Sequence, residues 1–302
     1  MNTQHIAHSE IVIPTLAESN RAAQLMRAIG SVQDQGARAL VVVNGNRFDA
    51  ALVEQLKQRD DIRLIQVAEP SLPNALHVGR CAVNSEFFGF LDDDDYLLPD
   101  AISRRESYLQ THSNIDVIIC NGIWESRGEN GRFYKDPAEL QNFSDDPLGT
   151  LLRANWMASC GALFRSASVA PAIFLDLTKY AEWTDVAFRL IDVCQLRFLF
   201  ENTFVIADSP ESLSKNSKQA RHMLRLLEKF HVKAKTRLHR QRLKQRLCNL
   251  HHQIADEALE ESHRLEALRH HLLSLLVAPS IGIPKYLLYT RKLLLPSKRH
   301  NR

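Results

Sequence analysis

The sequence lacks several features that would each place the protein in a particular class. No apolar run approaches the roughly 18 residues that a membrane-spanning helix requires. The first ten residues do not combine a basic start with an apolar stretch, so we expect no signal peptide. The five cysteines are scattered without the spacing of a metal site, which predicts reduced, mostly structural thiols in a cytoplasmic protein.

The length and composition are those of an ordinary soluble globular protein. At 302 residues the chain is long enough for one large α/β domain, or for one domain and an appendage. Hydrophobic residues make up 45% of the chain and charged residues 24%, which is the usual balance for a folded domain.

Charge is divided unevenly along the chain. Residues 1–214 contain 18 Lys and Arg against 29 Asp and Glu, a net charge of −11. Residues 215–302 contain 20 against 6, a net charge of +14, and also hold 9 of the 13 histidines. This asymmetry predicts an acidic body and a basic tail that seeks anionic surfaces, the more so after mild acidification.

Short apolar runs alternate with segments of helical periodicity in the first third of the chain. The apolar runs predict strands at 10–14, 39–43, 62–67 and 86–91. The periodic segments predict helices at 17–35, 49–58 and 74–83. Strands that alternate with helices in this way predict a doubly wound, mostly parallel sheet.

Four consecutive aspartates, at positions 92–95, follow the fourth predicted strand directly. Neighbouring carboxylates repel one another, so either the run is a solvated turn or a cation gathers it. Ligands of open parallel sheets bind beyond the carboxyl ends of the strands, and carboxylate oxygens suit Mg²⁺ or Mn²⁺. We therefore favour a metal and nucleotide site over a solvated turn. Pro99 suits the first turn of the helix that follows.

Seven short motifs occur in an order that is typical of one enzyme family. They are VIPT (12–15), SVQDQ (31–35), VVVNGN (41–46), FLDDDDYLLPD (90–100), GALFR (161–165), EWTDVAFRL (182–190) and SLS (212–214). Over about residues 9–214 the chain resembles the family 2 glycosyltransferases, inverting enzymes with the GT-A fold. The resemblance implies a Rossmann-like, mostly parallel sheet flanked by helices. It also implies transfer of a sugar from a nucleoside-diphosphate donor, UDP-linked by our preference, to a hydroxyl acceptor with the help of Mn²⁺ or Mg²⁺.

The resemblance places the D-x-D motif of the family on Asp92 and Asp94. Asp92 then faces the nucleoside, and Asp94 holds the divalent cation against the diphosphate. Asp93 counts among the donor-binding residues as a supporting side chain. Asp95 is expected to interact with the metal-binding residues and not with the metal itself. The remaining donor-side candidates are Pro14, Thr15, Glu18, Asn44, Asn74 and His77. Two of them have an ordinary alternative: Glu18 as a helix-terminal acid and His77 as a structural histidine.

An inverting transfer needs a base that takes the proton of the acceptor hydroxyl. The family places it in a Glu-Asp pair ahead of a helix, where this chain has Glu182 followed by Trp183. Glu182 is our first choice for the base and Asp185 the second, with a helix-dipole role as the alternative for Asp185. Trp156 and Trp183 are acceptor-side candidates, and Trp156 could equally fill the core.

Some positions depart from the family pattern and keep other functions open. Val43 and Trp183 replace acidic residues of the family, and Leu76-His77 replaces its usual Arg-Asn. These departures support an alternative, a catalytically degenerate protein that binds a nucleotide sugar or a partner. Nucleotidyl transfer on a related fold is disfavoured, because TLAESNR (15–21) has neither the glycine nor the lysine of the loop that this chemistry requires.

Residues 217–277 contain almost no proline or glycine, and leucines recur at steps of three and four. The pattern predicts one or two long amphipathic helices, so we divide the chain into a GT-A catalytic domain 1–214 and a basic helical region 215–302. This region either packs on the body, meets an anionic membrane, or binds nucleic acid. We favour packing combined with peripheral contact at the inner face of the cell membrane, which makes a lipid-linked or cell-surface polysaccharide precursor, or a glycolipid, the expected acceptor. Nucleic acid is disfavoured because base-reading motifs are absent.

Overall fold

The computed structural model of the protein describes residues 8–125, 132–207 and 219–277. The chain divides into two units, and the border between them falls between residues 212 and 213. The predicted domain border at residue 214, the SLS motif and the segment 278–302 lie outside the described residues.

The first half of the larger unit is a parallel α/β arrangement. Its strands are β1 (Ser9–Thr15), β2 (Arg38–Asn44), β3 (Ile62–Val67) and β4 (Phe87–Phe90). Its helices are α1 (Ala22–Gln33), α2 (Ala50–Lys57) and α3 (Leu72–Ala82). Strand β1 lies between β2 and β4 and is parallel to both, and β3 is parallel to β2. The predicted succession of strands and helices is confirmed, with shifts of a few residues at the ends.

The second half of this unit continues the same sheet with mixed strand directions. Its elements are β5 (Tyr96–Leu97), α4 (Ala101–Thr111), β6 (Val117–Glu125), β7 (Arg132–Phe133), α5 (Pro137–Leu140), α6 (Pro147–Arg153), β8 (Ala162–Arg165), α7 (Glu182–Val193) and β9 (Leu196–Ala207). The strand order is β3-β2-β1-β4-β8-β6-β9-β5, with β7 paired to β6. Strand β8 runs antiparallel to β4 and β6, whereas β9 is parallel to β6. The result is the mixed α/β architecture expected for a GT-A fold.

Helices cover both faces of the parallel strands, which explains why β1 is buried along its whole length. Ile11 and Ile13 join a cluster that includes Leu25 of α1. On the other face Val12 meets α3 so closely that a Cβ on Gly79 would lie 2.3 Å from its Cγ1. Only glycine therefore fits at this crossing.

One sequence-based expectation about α4 is wrong in detail. Pro99 does not lie in the first turn, because α4 begins at Ala101 and its N-cap residue, Asp100, has a left-handed backbone with φ 62°. Pro99 and Asp100 therefore belong to the turn between β5 and α4, and the helix begins two residues later than the sequence predicts.

Within residues 219–277 the smaller unit has three α-helices, where one or two long helices were predicted. They are α8 (Gln219–Lys229), α9 (Arg237–Glu260) and α10 (Arg264–Val277). Helices α9 and α10 pack on each other through Ala258 and Ala267, which are fully buried. Ser262, with φ 65°, lies in the short turn that separates them. Within the described ranges, no helix combines the length and the hydropathy needed to cross a membrane. All five cysteines are described and none forms a disulfide.

Candidate active site

The four aspartates form a tight turn at the carboxyl edge of the parallel strands, and we call residues 92–95 the aspartate turn. Strand β4 ends at Phe90, and the turn leads from it into β5. The backbone closes through a hydrogen bond from the amide of Asp95 to the carbonyl of Asp92, 3.1 Å long. Because β1 is parallel to β4, Thr15 at its end lies beside the turn.

An arginine that the sequence analysis missed gathers two of these carboxylates. Arg21 Nη2 lies 2.5 Å from Asp93 Oδ1 and 2.9 Å from Asp94 Oδ2. A second arginine, Arg27, donates to the backbone carbonyl of Asp94 at 2.7 Å, and its guanidinium lies over the ring of Tyr96. The aspartate run is therefore an organised site and differs from an ordinary solvated turn.

Asp93 is the most firmly held member of the turn. It is 5% exposed, and its Oδ2 accepts a hydrogen bond of 2.5 Å from the hydroxyl of Thr15. Burial raises the pKa of Asp93, while Arg21 and the Thr15 hydroxyl act to lower it. The Thr15 oxygen in turn accepts from the amide of Ala17 at 2.9 Å, so Thr15 links the loop after β1 to the turn.

Asp92 and Asp95 are the two members of the turn whose charged forms are most disfavoured. Burial, reinforced by the charges of Asp94 and Asp93, raises the pKa of Asp92 to about 7, although a hydrogen bond with Ser159 lowers it. Asp95 is 3% exposed and accepts from the amide of Ala207 at 3.0 Å. Burial and the neighbouring carboxylates raise the pKa of Asp95 well above its usual range. The turn thus holds an excess of acidic groups in a desolvated place, where their charged forms are disfavoured without a cation.

This excess fits a divalent cation shared with a substrate. In the part of the chain that the structure describes, no three His, Cys, Asp or Glu side chains form a metal site by themselves. A cation at the turn would need ligands from elsewhere, and Mg²⁺ and Mn²⁺ commonly take one or two carboxylates together with substrate phosphates and water. A positive ion would also relieve the repulsion that raises the pKa of Asp92.

Two donor-side candidates lie at the end of β1 or in the loop after it. Pro14 is buried within β1 and lies opposite Val42 of the neighbouring strand. Glu18 makes no cap hydrogen bond to the short helix that follows it, and it forms an ion pair with Arg47 instead. Glu18 is nevertheless the N-cap residue of that short helix, so its helix-terminal alternative stands and its contact with the donor stays a prediction.

The other donor-side candidates surround the start of α3. Asn44, at the end of β2, is 7% exposed and accepts a 2.8 Å hydrogen bond from the amide of Ser71. Ser71 caps α3 by accepting from the amide of Asn74 at 3.3 Å. His77 lies one turn further on, with Nδ1 3.2 Å from the carbonyl of Pro171. The Asn44–Ser71 hydrogen bond ties the start of α3 to the end of β2. Direct contact of Asn44, Asn74 or His77 with the donor stays a prediction.

Glu182, the first candidate for the base, is the first residue of α7. Its side chain is 7% exposed, and Oε1 accepts from the amide of Tyr180 at 3.0 Å. Burial raises the pKa of Glu182. The next residue, Trp183, packs edge to face on Phe90 with the ring centroids 5.3 Å apart. This contact brings the start of α7 to the end of β4, two residues before the aspartate turn.

Asp185, the second candidate for the base, is used differently. It is fully buried, and its Oδ1 lies 2.6 Å from Arg189 Nε. Its Oδ2 accepts from the amide of Thr178 at 2.9 Å and from the Thr178 hydroxyl at 2.7 Å. Both carboxylate oxygens are thus engaged in holding the loop before α7 to the helix.

The two tryptophans predicted on the acceptor side differ in exposure. Trp156 is 1% exposed, packs on Phe143 and donates from its indole nitrogen to the carbonyl of Pro147 at 3.0 Å. The structure therefore supports the interpretation that Trp156 fills the core. Trp183 is half-buried, so part of its ring stays accessible and its acceptor-side role stays a prediction.

The sequence matches the model of Glycosyl transferase family 2 over residues 10–168, which is more than half of the chain. This chain belongs to glycosyl transferase family 2. The matched range contains the aspartate turn, Arg21 and the ends of β1 and β2. No curated protein matches the sequence at a significant level.

Solved structures with the same fold include two glycosyltransferases with bound donors. S. aureus TarS in complex with UDP-GlcNAc superposes with a TM-score of 0.61 at 13% identity, covering 94% of this chain and 87% of that chain. Mannosyltransferase PcManGT from Pyrobaculum calidifontis, in complex with GDP-Man and Mn²⁺, has a TM-score of 0.54 at 14% identity and covers 95% of this chain and 80% of that chain. At these identities the likeness concerns the fold.

Proposed function

We propose that this family 2 glycosyltransferase moves a sugar from a UDP-linked donor to a hydroxyl acceptor, with inversion and with a divalent cation, Mn²⁺ or Mg²⁺. The observation that carries the proposal is the aspartate turn, a buried and organised cluster of carboxylates at the carboxyl edge of the parallel strands. That edge is where open α/β sheets bind nucleotides.

Within the turn, Asp94 is the residue that would hold the cation and Asp92 the residue that would face the nucleoside. Asp94 has the more exposed carboxylate of the two that contact Arg21, 17% against 7% for Asp93. When bound, the cation neutralises the charge that develops on the departing diphosphate. Asp93 and Asp95, both buried, fix the shape of the turn through Thr15 and Ala207.

Glu182 is our proposal for the base that takes the proton of the acceptor hydroxyl. A base works best when its pKa approaches the working pH, and burial raises the pKa of Glu182 in that direction. Backbone hydrogen bonds from Tyr180 and from Glu182 itself orient this carboxylate. Trp183, one residue further on, would offer a flat apolar surface to the acceptor sugar.

The choice of UDP follows from the donors of structures with the same fold. TarS is known in complex with UDP-GlcNAc and with UDP, whereas PcManGT is known with GDP-Man. The donor-side loops of this chain, after β1 and β2, would then bind the uracil and ribose. A thermal-shift screen of UDP-sugars and GDP-mannose with Mn²⁺ tests this choice, and stabilisation by GDP-mannose alone would overturn it.

A lipid-linked or polysaccharide acceptor, and peripheral membrane contact, are supported by the smaller unit. Leu265, Leu272 and Leu276 on α10 are exposed to 86%, 50% and 77%, within a region whose net charge is +14. Exposed leucines among basic residues favour the surface of an anionic bilayer. Flotation with anionic and with neutral vesicles tests this. Equal recovery with both vesicle types would remove the membrane part of the proposal.

Turnover of a radiolabelled donor is the direct test of the transferase mechanism. Glu182→Gln is expected to lower the rate by at least about a hundredfold, while Glu54→Gln, an exposed carboxylate on α2, keeps the wild-type rate. A Glu182→Gln enzyme with the wild-type rate would refute the assignment of the base. Donor binding by the wild type without any turnover would favour the alternative, a degenerate protein that only binds nucleotide sugars.

A further inference from the structure

Arg21 makes two ion pairs of unequal character with the aspartate turn. We propose that Arg21 is a displaceable counter-ion, which occupies Asp94 until a divalent cation arrives and then turns to the donor diphosphate while Asp93 keeps hold of it. The inference rests on the proposed function, because it assumes that Asp94 binds the cation.

The contact with Asp93 is the fixed one. Its distance is 2.5 Å, the Asp93 side chain is 7% exposed, and the other Asp93 oxygen is held by the Thr15 hydroxyl. The contact with Asp94 is longer, at 2.9 Å, and its carboxylate is 17% exposed. A charge pair that water can reach exchanges its partner more easily than one that is buried.

Charge repulsion makes the two partners of Asp94 mutually exclusive. A cation bound to Asp94 would lie within a few ångströms of the guanidinium of Arg21, and two positive charges that close repel strongly in a desolvated place. The Arg21 side chain is 24% exposed and precedes α1, which begins at Ala22. A turn of the guanidinium away from Asp94, about its contact with Asp93, therefore does not require the helix to move.

The rest of the turn is built to stay in place during this exchange. Arg27 holds the backbone carbonyl of Asp94 at 2.7 Å and stacks on Tyr96, so the backbone does not depend on the Arg21–Asp94 contact. A guanidinium released from Asp94 and still anchored on Asp93 presents several N–H donors. That geometry suits a diphosphate.

Two titrations test the inference, Mn²⁺ alone and UDP at saturating Mn²⁺, both by calorimetry on the full chain without turnover. Arg21→Gln is expected to tighten Mn²⁺ about three- to tenfold, because a competing charge is removed. The same variant is expected to weaken UDP by about tenfold, because a phosphate-facing cation is lost. A merely structural role would weaken both, so the opposite signs are the signature.

The matched control is Arg104→Gln, which removes the same charge from an exposed arginine whose ion pairs are with Asp100 and Glu201. It is expected to change neither affinity by more than about twofold. Arg21→Met, which keeps the aliphatic stem, is titrated in parallel in case Arg21→Gln does not fold.

The outcomes separate this inference from the proposed function. Unchanged or weaker Mn²⁺ binding in both Arg21 variants, with Mn²⁺ binding lost in Asp94→Asn, would overturn the inference alone. A wild-type protein that binds no Mn²⁺ alone and whose UDP affinity does not depend on Mn²⁺ would overturn both. Tighter Mn²⁺ together with weaker UDP in the Arg21 variants would establish the displacement.

Discussion

Replacing Asp185 by alanine is expected to destabilise the larger unit far more than replacing Glu182 by glutamine. The two residues lie three positions apart in the first turn of α7. Asp185→Ala removes the acceptor of two hydrogen bonds from Thr178 and the ion pair with Arg189. Glu182→Gln keeps an oxygen that accepts from the amide of Tyr180.

The magnitudes follow from burial. Removing one member of a buried ion pair costs about 3–5 kcal/mol, because the other charge stays behind without its partner. Asp185 is fully buried but Arg189 is 16% exposed, so we expect the lower end, about 3 kcal/mol. Glu182→Gln removes a charge that burial disfavours and keeps a hydrogen bond, so its cost is expected to be about 1 kcal/mol or less.

Urea unfolding followed by tryptophan fluorescence measures the difference. The three tryptophans, Trp124, Trp156 and Trp183, all lie in the larger unit, so the signal reports on that unit. With an m-value of about 3 kcal/mol/M, a loss of about 3 kcal/mol lowers the midpoint by roughly 1 M. An Asp185→Ala midpoint equal to that of the wild type would refute the structural role of Asp185 and return it to consideration as the base.

Three further predictions concern packing, the donor site and pH. Gly122→Ala is expected to cost about 1–3 kcal/mol in thermal unfolding, because its Cβ would lie 2.2 Å from the ring of Phe204. Thr15→Val is expected to weaken UDP binding in the presence of Mn²⁺ by about tenfold, because Asp93 loses a hydrogen bond of 2.5 Å. Acidification below about pH 6.5 is expected to lower the protection factors of the amides in α9 and α10, since burial lowers the pKa of four histidines in these helices. They are His251, His252, His270 and His271. Because their folded pKa values lie below 6.5, the unfolded state binds more protons, and stability that is present above pH 6.5 is lost as the pH falls.

Each of the three has a control or a contrary outcome. Gly30→Ala is the control for Gly122→Ala, because nothing lies within 4 Å of a Cβ at that helical position, and it is expected to stabilise the protein slightly. Thr111→Val removes an exposed hydroxyl, and it should leave UDP affinity unchanged. Protection factors in α9 and α10 that do not fall below pH 6.5, after correction for the intrinsic exchange rates, would contradict the histidine account.

The sequence predicted the parallel half of the sheet and the aspartate turn because both are local patterns. Apolar runs of about five residues, such as 39–43, mark buried strands, and a run of carboxylates after such a strand can only lie at its carboxyl edge. The antiparallel half was not predicted. The pairing of β8 with β4 and β6 joins segments far apart in the chain, and local periodicity carries no signal for such partners.

Arg21 shows why the site itself was predicted only in part. The chain contains 38 Lys and Arg, and which of them faces the aspartates depends on the tertiary fold. One signal was nevertheless available. Arg21 is the first basic residue after β1, and because β1 and β4 are parallel neighbours, the loop after β1 lies at the same edge of the sheet as the aspartate turn. The paired role of Asp185 had a local signal too, since Arg189 stands four residues later on the same helix.

Isothermal titration of UDP with and without Mn²⁺, on the wild type and on Asp94→Asn, tests the central claim most directly. The account predicts that Mn²⁺ strengthens UDP binding to the wild type and that Asp94→Asn removes this gain while the protein stays folded. UDP binding that ignores both the metal and the substitution would contradict it.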